Sequence, residues 1–320
     1  MAFEGNAPVV TARLPRAARE VLERGTLCYL AVRTTRGPHL TPVVYALDGG
    51  WLWLTTSRTS VKARALRRDR QVAGMIRAGG EAVTFRGSAR TYDALDPLSW
   101  PSAAVAGPRL VRAATRFSLK NARFFAGYAV DARRVPLGWT PPGRVFVGIE
   151  VRAGALLDLV NGTIAATWGA WDGEGDVVGN RRSSPHVTAR RLLDLRVPRS
   201  VRSVIGPKGE GALAPARGAP AVVPVRWRRV AREGIYEANL PRAFLGLAAG
   251  GTPGPARIDE PAALTVDRLA SWRAAEMAGM LLQGEARTDS SSELDHALVR
   301  LRPHRVVWWE GWSSGSVSRP

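Results

Sequence analysis

The sequence has one cysteine, Cys28, in 320 residues, which excludes an internal disulfide and any multi-cysteine zinc site. Lysine is nearly as scarce: of 46 basic residues only Lys62, Lys120 and Lys208 are lysines, and the rest are arginine. No uninterrupted apolar run reaches the ~18 residues of a transmembrane helix, so a membrane is not an expected partner. Met1 to Val10 carries Glu4 and no basic flank ahead of an apolar run, so no secretory signal is read there and the expected location is cytoplasmic. The sequon Asn161-Gly162-Thr163 is then incidental. Acidic residues are also short, 27 against 46 basic, for a formal charge of +19. Such a surface attracts phosphates on nucleic acid, membrane or cofactor. The arginines are spread along the whole chain without a basic–aromatic module, so nucleic acid is not an expected partner either.

Several catalytic signatures are missing as well. There is no P-loop, no dinucleotide glycine motif and no pair of metal-binding histidines. Gly311-Trp312-Ser313-Ser314-Gly315 spells a hydrolase nucleophile elbow, but only five residues follow it, too few for the supporting helix. His39, His186, His296 and His304 stand alone, and His39 is the least bland because it neighbours the Pro42 strand.

The 45% apolar content supports ordinary cores, and the length predicts two domains at ~150 residues each. Residues 12–24 read as an amphipathic helix ended by Gly25. Strands follow at Thr26–Thr34, Leu40–Leu47 and Trp51–Thr55, with turns at Arg36-Gly37-Pro38 and Gly49-Gly50. Ser57–Arg70 has helical spacing, and Val72–Ile76 and Ala82–Thr91 are two more strands. Strands with two short helices point to a small antiparallel barrel. Residues 93–134 interrupt the pattern as a helical insertion, with a helix over Leu110–Val130 whose arginines face water. Strands resume at Arg144–Val151 and Ala155–Val160, and 172–185 reads as a linker.

The second half repeats the first. Val187–Leu195 stands for the opening helix, Ser200–Ile205 for the first strand and Pro207-Lys208-Gly209 for the first turn. Thr41-Pro42-Val43-Val44-Tyr45 returns as Val223-Pro224-Val225-Arg226-Trp227, and Phe85-Arg86-Gly87-Ser88-Ala89-Arg90 as Leu282-Gln283-Gly284-Glu285-Ala286-Arg287. Val145–Val151 is matched by Ala297–Arg302. Four matches in one order predict a tandem duplication. The expected fold is mainly β with α: two split antiparallel β-barrels, 1–171 and 186–320, forming a pseudo-dimer within one chain.

Thr55, Thr56, Ser57, Thr59 and Ser60 cluster hydroxyls where a strand enters a helix, a place whose free N–H groups favour a phosphate. Lys62 and Arg64 add cations on that first turn, unfavourable there unless an anion offsets them. The plain alternative is a Ser/Thr cap with two solvated basic side chains.

The strings Gly25-Thr26-Leu27, Arg36 to Val43, Leu52 to Ser57, Ser60 to Leu66, Asp69 to Ala73 and Arg86 to Ala89 resemble the pyridoxamine 5'-phosphate oxidase-like family of split β-barrel flavoproteins. The resemblance implies a cofactor phosphate held by Thr56, Ser57, Ser60, Lys62 and Arg64, with Pro42, Val43, Val44 and Tyr45 along the isoalloxazine ring. Trp272, with Trp227 and Arg273, could cover the ring or contact substrate, or pack between the barrels. Tyr45 and His39 are candidate catalytic groups. The implied cofactor is FMN, with a deazaflavin coenzyme or haem as alternatives within the family; the implied activity is hydride transfer to or from a small conjugated or heteroaromatic substrate. A non-catalytic flavin- or haem-binding role is the other reading. Val61 departs from the family, whose FMN-binding members commonly have arginine there. The second half carries Asn239 to Phe244 where the phosphate loop should be, so one competent and one degenerate site are expected. Family barrels dimerise, and the duplicated chain could supply that pair internally or oligomerise further.

Overall fold

The computed structural model describes residues 14–96, 100–130, 143–169, 197–216, 221–230, 233–249, 257–269, 276–289 and 295–318. The first half runs α1 (Arg16–Arg24), β1 (Leu27–Thr34), β2 (Gly37–Asp48), β3 (Trp51–Ser57), α2 (Val61–Arg68), β4 (Gln71–Ala78) and β5 (Glu81–Tyr92). It continues through α3 (Trp100–Val105), α4 (Gly107–Lys120), α5 (Ala122–Val130), β6 (Arg144–Asp158) and β7 (Thr163–Trp168). The second half runs α6 (Arg199–Ile205), β8 (Lys208–Pro215), β9 (Val223–Val230), β10 (Ile235–Pro241), α7 (Arg242–Ala248), β11 (Asp259–Leu269), β12 (Met277–Thr288), β13 (His296–Glu310) and β14 (Ser313–Ser318).

Each half is a closed six-stranded antiparallel barrel. The first has the order β3-β2-β1-β4-β5-β6 and is closed by β3 on β6, with β7 added at the edge. The second repeats it as β10-β9-β8-β11-β12-β13, closed by β10 on β13, with β14 added. Residue equivalence follows from the register. From Tyr45 the pairs lead to Leu54, Val147 and Thr91. From Trp227 they lead to Ala238, Val299 and Thr288. Thr91 and Thr288 are also equivalent by the Phe85/Leu282 match in the sequence, so the path closes. Even the bulge is repeated. The register slips at Arg86/Gly87 in one barrel and Gln283/Gly284 in the other, leaving Arg152 and His304 as the extra residues.

The barrels share a core. Leu40, Met75, Ala153 and Leu157 of the first belong to the same buried cluster as Val222, Leu264, Leu281 and Val306 of the second. Thr84 Oγ1 donates to the Val222 carbonyl at 2.6 Å and Thr265 Oγ1 to the Leu40 carbonyl at 2.6 Å. The two acceptors are equivalent under the internal two-fold, although the two donors are not.

Some expectations need correction. Arg144–Val151 and Ala155–Val160 are one strand, β6; the bulge at Arg152 and the glycine at 154 interrupt its sequence pattern but not the strand. β7 was not expected at all. The helix over Leu110–Val130 is two, α4 and α5, parted at Asn121, whose Nδ2 donates to the carbonyls of Tyr45 at 3.2 Å and Phe117 at 2.9 Å. Ser200–Ile205 is not a strand but lies in α6, where Val201 and Ile205 are buried at helical spacing. Lys208 and Gly209 open β8 and do not form a turn after it. The readings for Val187–Leu195, the 172–185 linker, Trp272 and Arg273 lie outside the described residues.

The insertion packs on the barrel, as its apolar face requires. Ala113 and Phe117 of α4 are buried, and Trp53 stacks on Phe146 with centroids 5.2 Å apart beneath it. The arginines of α4 are exposed, and two of them, Arg112 and Arg116, also reach the buried Asp48, at 2.9 and 3.4 Å. Among the described residues no helix is long and apolar enough to cross a membrane.

Candidate cofactor site

Ser60 caps α2: its hydroxyl accepts from the Ala63 amide at 3.0 Å and shares a hydrogen bond with Thr56 Oγ1 at 3.0 Å. Ser57 Oγ pairs with Thr59 Oγ1 at 3.2 Å on the exposed rim. The loop before the helix is fixed from behind, since Arg58 of the loop and Arg67 of α2 both pair with buried Asp93, at 2.6 and 3.2 Å. The cap alternative thus describes Ser60, but not Lys62.

Lys62 turns inward, and its Nζ donates to Thr41 Oγ1 on β2 at 2.7 Å. Its pKa is lowered from 10.5 to about 8, chiefly by burial and then by the Arg144 charge, with the Cys28 thiol opposing the shift. No carboxylate figures among these neighbours. Arg144 is held by Thr55, with Nε on Oγ1 at 2.9 Å and Nη2 on the carbonyl at 2.9 Å. Arg64 does not join the group. It lies two positions on, where helix geometry turns a side chain away, and it is exposed.

The second barrel completes the cluster across the seam. Gln283, 2% exposed, donates through Nε2 to the Pro38 carbonyl at 2.7 Å and accepts from Arg305 Nη1 at 3.1 Å. His39 lies between the barrels and is buried, with no hydrogen-bond partner for Nδ1 among the described residues. Burial pushes its pKa down to about 3, with Lys62 and Arg305 adding to the effect. It is therefore a neutral imidazole at physiological pH and holds no spare proton as imidazolium. The signal missed in the sequence was Arg305, a half-buried arginine that equivalence aligns with Ala153 of the first barrel.

Tyr45 is a core residue. It is fully buried, and its hydroxyl donates to the Leu22 carbonyl at 2.6 Å and lies 3.0 Å from that of Gly25, tying down the end of α1. Lys120 Nζ sits 3.8 Å from its ring centroid. The phenol is thus committed, and neither a ring contact nor proton donation by Tyr45 agrees with this geometry. Pro42 is buried opposite Tyr29, while Val43 and Val44 are partly buried. Cys28 is buried, and burial raises its thiol to about 12, so it is no nucleophile.

The donor set fits a phosphate-bearing group. It offers one part-buried ammonium, an orphaned imidazole nitrogen, hydroxyls and an arginine from the other barrel. An anion would offset the desolvation of Lys62.

Residues 15–116 match the family model described as pyridoxamine 5'-phosphate oxidase. The first barrel is a pyridoxamine 5'-phosphate oxidase-like domain. The match takes in His39, Thr41 and Lys62 of this domain and stops within α4, so Arg144 and Arg305 come from outside it. No curated protein matches the chain. Similar solved structures include an F420 reductase, 19% identical over 44% of this chain and 98% of its own, with a TM-score of 0.30. A putative pyridoxamine 5'-phosphate oxidase from Listeria innocua is 15% identical over 44% of this chain and 94% of its own, TM-score 0.28. A heme binding protein from Mycobacterium smegmatis is 19% identical over 48% and 57%, TM-score 0.34.

The two barrels differ at this site. His39 and Thr41 are replaced by Ala221 and Val223, Arg305 by Ala153 and Ser57 by Pro241; Gln283 is answered by Arg86.

Proposed function

We propose that the chain is a flavin-dependent oxidoreductase that holds FMN by its phosphate at the first-barrel site and acts on a small conjugated or heteroaromatic substrate. The observation that carries the reading is the part-buried, carboxylate-free ammonium of Lys62, set on Thr41 near neutral His39, which also feels the charge of Arg305 from across the seam. A bound flavin would supply two-electron hydride chemistry. The chain's own residues bind and orient. Lys62 and Arg305 neutralise the phosphate, Thr56 and Ser57 offer hydroxyls, and Pro42 to Val44 give an apolar strand beside the ring. His39 can accept a hydrogen bond at Nδ1 but cannot serve as an acid. The family's readiness for such chemistry agrees with the absence of a nucleophile–base pair among the residues that cluster here.

A deazaflavin coenzyme is the second reading, favoured by Val61 at the position where FMN-binding members of the family carry arginine. It too bears a phosphate, so Lys62 serves both. The deciding experiment is titration of the purified full chain with FMN, the deazaflavin and haem, followed by absorbance and by mass spectrometry of the ligand that co-purifies. FMN should saturate near one equivalent per chain and bind more tightly than riboflavin. Preference for haem, or equal affinity for FMN and riboflavin, would overturn the phosphate-anchored reading.

A further inference from the structure

The second seam site has not simply lost its chemistry. Its phosphate corner is closed: Pro241 stands in place of Ser57, and the left-handed Gly162 of the β6–β7 turn packs on it, a Cβ at Gly162 falling 3.0 Å from Pro241 Cγ. Beside that corner a cavity of about 500 Å³ remains, lined by Arg77, Val225, Arg226, Asn239, Phe244 and His296 among others. This is within the usual size of small-molecule sites.

The row of side chains along this cavity has been inverted. In the first barrel Leu27, Val44 and Thr55 stand side by side on β1, β2 and β3. Their equivalents on β8, β9 and β10 are Glu210, Arg226 and Asn239, which pair directly across the strands. The two apolar members of the row, Leu27 and Val44, have become the charged pair Glu210 and Arg226, and the hydroxyl of Thr55 an amide, while Val225 and Phe244 keep an apolar wall. Glu210 is already engaged by Arg77 Nη1 at 2.9 Å. Arg226 has no ion pair among the described residues, so its guanidinium is the cation left for a ligand. An arginine flanked by an amide and an imidazole is a carboxylate-binding set.

We propose that this cavity is a second ligand site, taking a small phosphate-free aromatic or heteroaromatic carboxylate with Arg226 as its counter-ion. Asn239 and His296 supply hydrogen bonds, and Phe244 and Val225 the apolar wall. The site stands on its own cavity and does not depend on the first site holding a flavin.

Calorimetric titration of the full chain with nicotinate, and with nicotinamide as its neutral isostere, tests this directly. Nicotinate should bind at one equivalent, and nicotinamide at least about tenfold more weakly, the loss expected when one charge-assisted contact goes. Arg226→Gln should weaken nicotinate by roughly 10- to 100-fold. Asn239→Trp, which fills an exposed edge of the cavity, should abolish it. FMN titration of both variants reports on the first site and on folding, and should match the parent chain. Absence of nicotinate binding, equal binding of nicotinamide, or unchanged affinity in Arg226→Gln overturns the proposal. If FMN binding fails in the parent while nicotinate still follows Arg226, the flavin reading fails and this one stands.

Discussion

Two barrels with one topology carry opposite surfaces at equivalent positions. The first sets His39, Thr41 and Lys62 against Arg305 from the second, and lines the neighbouring strand row with Leu27 and Val44. The second has Ala221 and Val223 against Ala153, and lines the same row with Glu210 and Arg226. Both keep the strand order, the closing pair and the bulge. After a duplication, then, the scaffold is constrained by backbone hydrogen bonding and by the shared core, whereas the pocket positions are free to diverge.

The largest effects should come where the barrels are the same. At the bulge a Cβ on Gly284 would lie 2.0 Å from the Arg302 carbonyl oxygen, and one on Gly87 2.3 Å from that of Glu150. Both contacts are backbone, which cannot swing aside. Gly284→Ala and Gly87→Ala should each destabilise the chain by about 3 kcal/mol, the upper end for overpacking. Denaturant unfolding monitored by tryptophan fluorescence checks this. Damage in one barrel alone would mean that the repeated bulge is not under the same constraint.

Next come the sites. Lys62→Met removes the ammonium but keeps most of the stem volume. FMN affinity should fall by roughly 10- to 100-fold, while riboflavin is nearly unaffected. Lys208→Ala, a surface change of the same charge, should alter neither. Without ligand the variant should be more stable than the parent at pH 7, because a buried ammonium whose pKa is depressed to about 8 costs folding free energy while charged. The same shift fixes a pH dependence. Above pH 8 the free protein loses the Lys62 proton that phosphate binding requires, so FMN affinity should fall with rising pH. Riboflavin should show no such slope.

The sequence made the scaffold legible because alternation, Gly-rich turns and in-order matches are local signals. It misplaced Ser200–Ile205, since Val201 and Ile205, four apart, satisfy strand and helix periods alike over so short a run, and only Val204 marks the helix. It split β6 because a bulge interrupts alternation without ending a strand. At the candidate site, Lys62 could be singled out from its scarcity and its hydroxyl-rich surroundings. Tyr45 was misassigned because inward and outward faces of β2 depend on where α1 docks. Arg305 and Gln283 could not be found from one half alone, since they reach the site only across the seam.

A smaller test concerns the seam itself, where Tyr29 OH donates to Asp267 Oδ1 at 2.9 Å. Burial raises the Asp267 pKa from 3.8 to about 6, against the lowering by the Tyr29 hydrogen bond and by Arg77. Glu210 and Lys208 on β8 and Arg268 on β11 line the same cavity, so the charge is not isolated. A raised carboxyl pKa means that the unfolded chain gives up its proton first. Stability is therefore lost as pH rises from about 4 to 6, and the penalty is complete above that. Because the side chain is partly solvated, about 1–2 kcal/mol is a fair magnitude. Asp267→Asn keeps an acceptor for Tyr29 and should raise the melting temperature at pH 8 but not at pH 3.5. Equal effects at both pH values would remove the titration argument.

The smallest expected effect returns to the internal two-fold. Thr84→Val and Thr265→Val are near-isosteric, and each deletes one buried hydrogen bond to an equivalent carbonyl across the seam. A typical buried bond contributes about 1 kcal/mol net, so each variant should lose about that much, and by similar amounts. The two donors are not equivalent residues: Thr265 corresponds to Met75, the cross-strand partner of Thr84. The seam therefore meets the same need at Leu40 and Val222 from adjacent strands. Similar losses in denaturant midpoint would show that what the two-fold preserves is satisfaction of the carbonyl. A loss confined to one variant would show that one side of the seam has already been released from it, as the two pockets have.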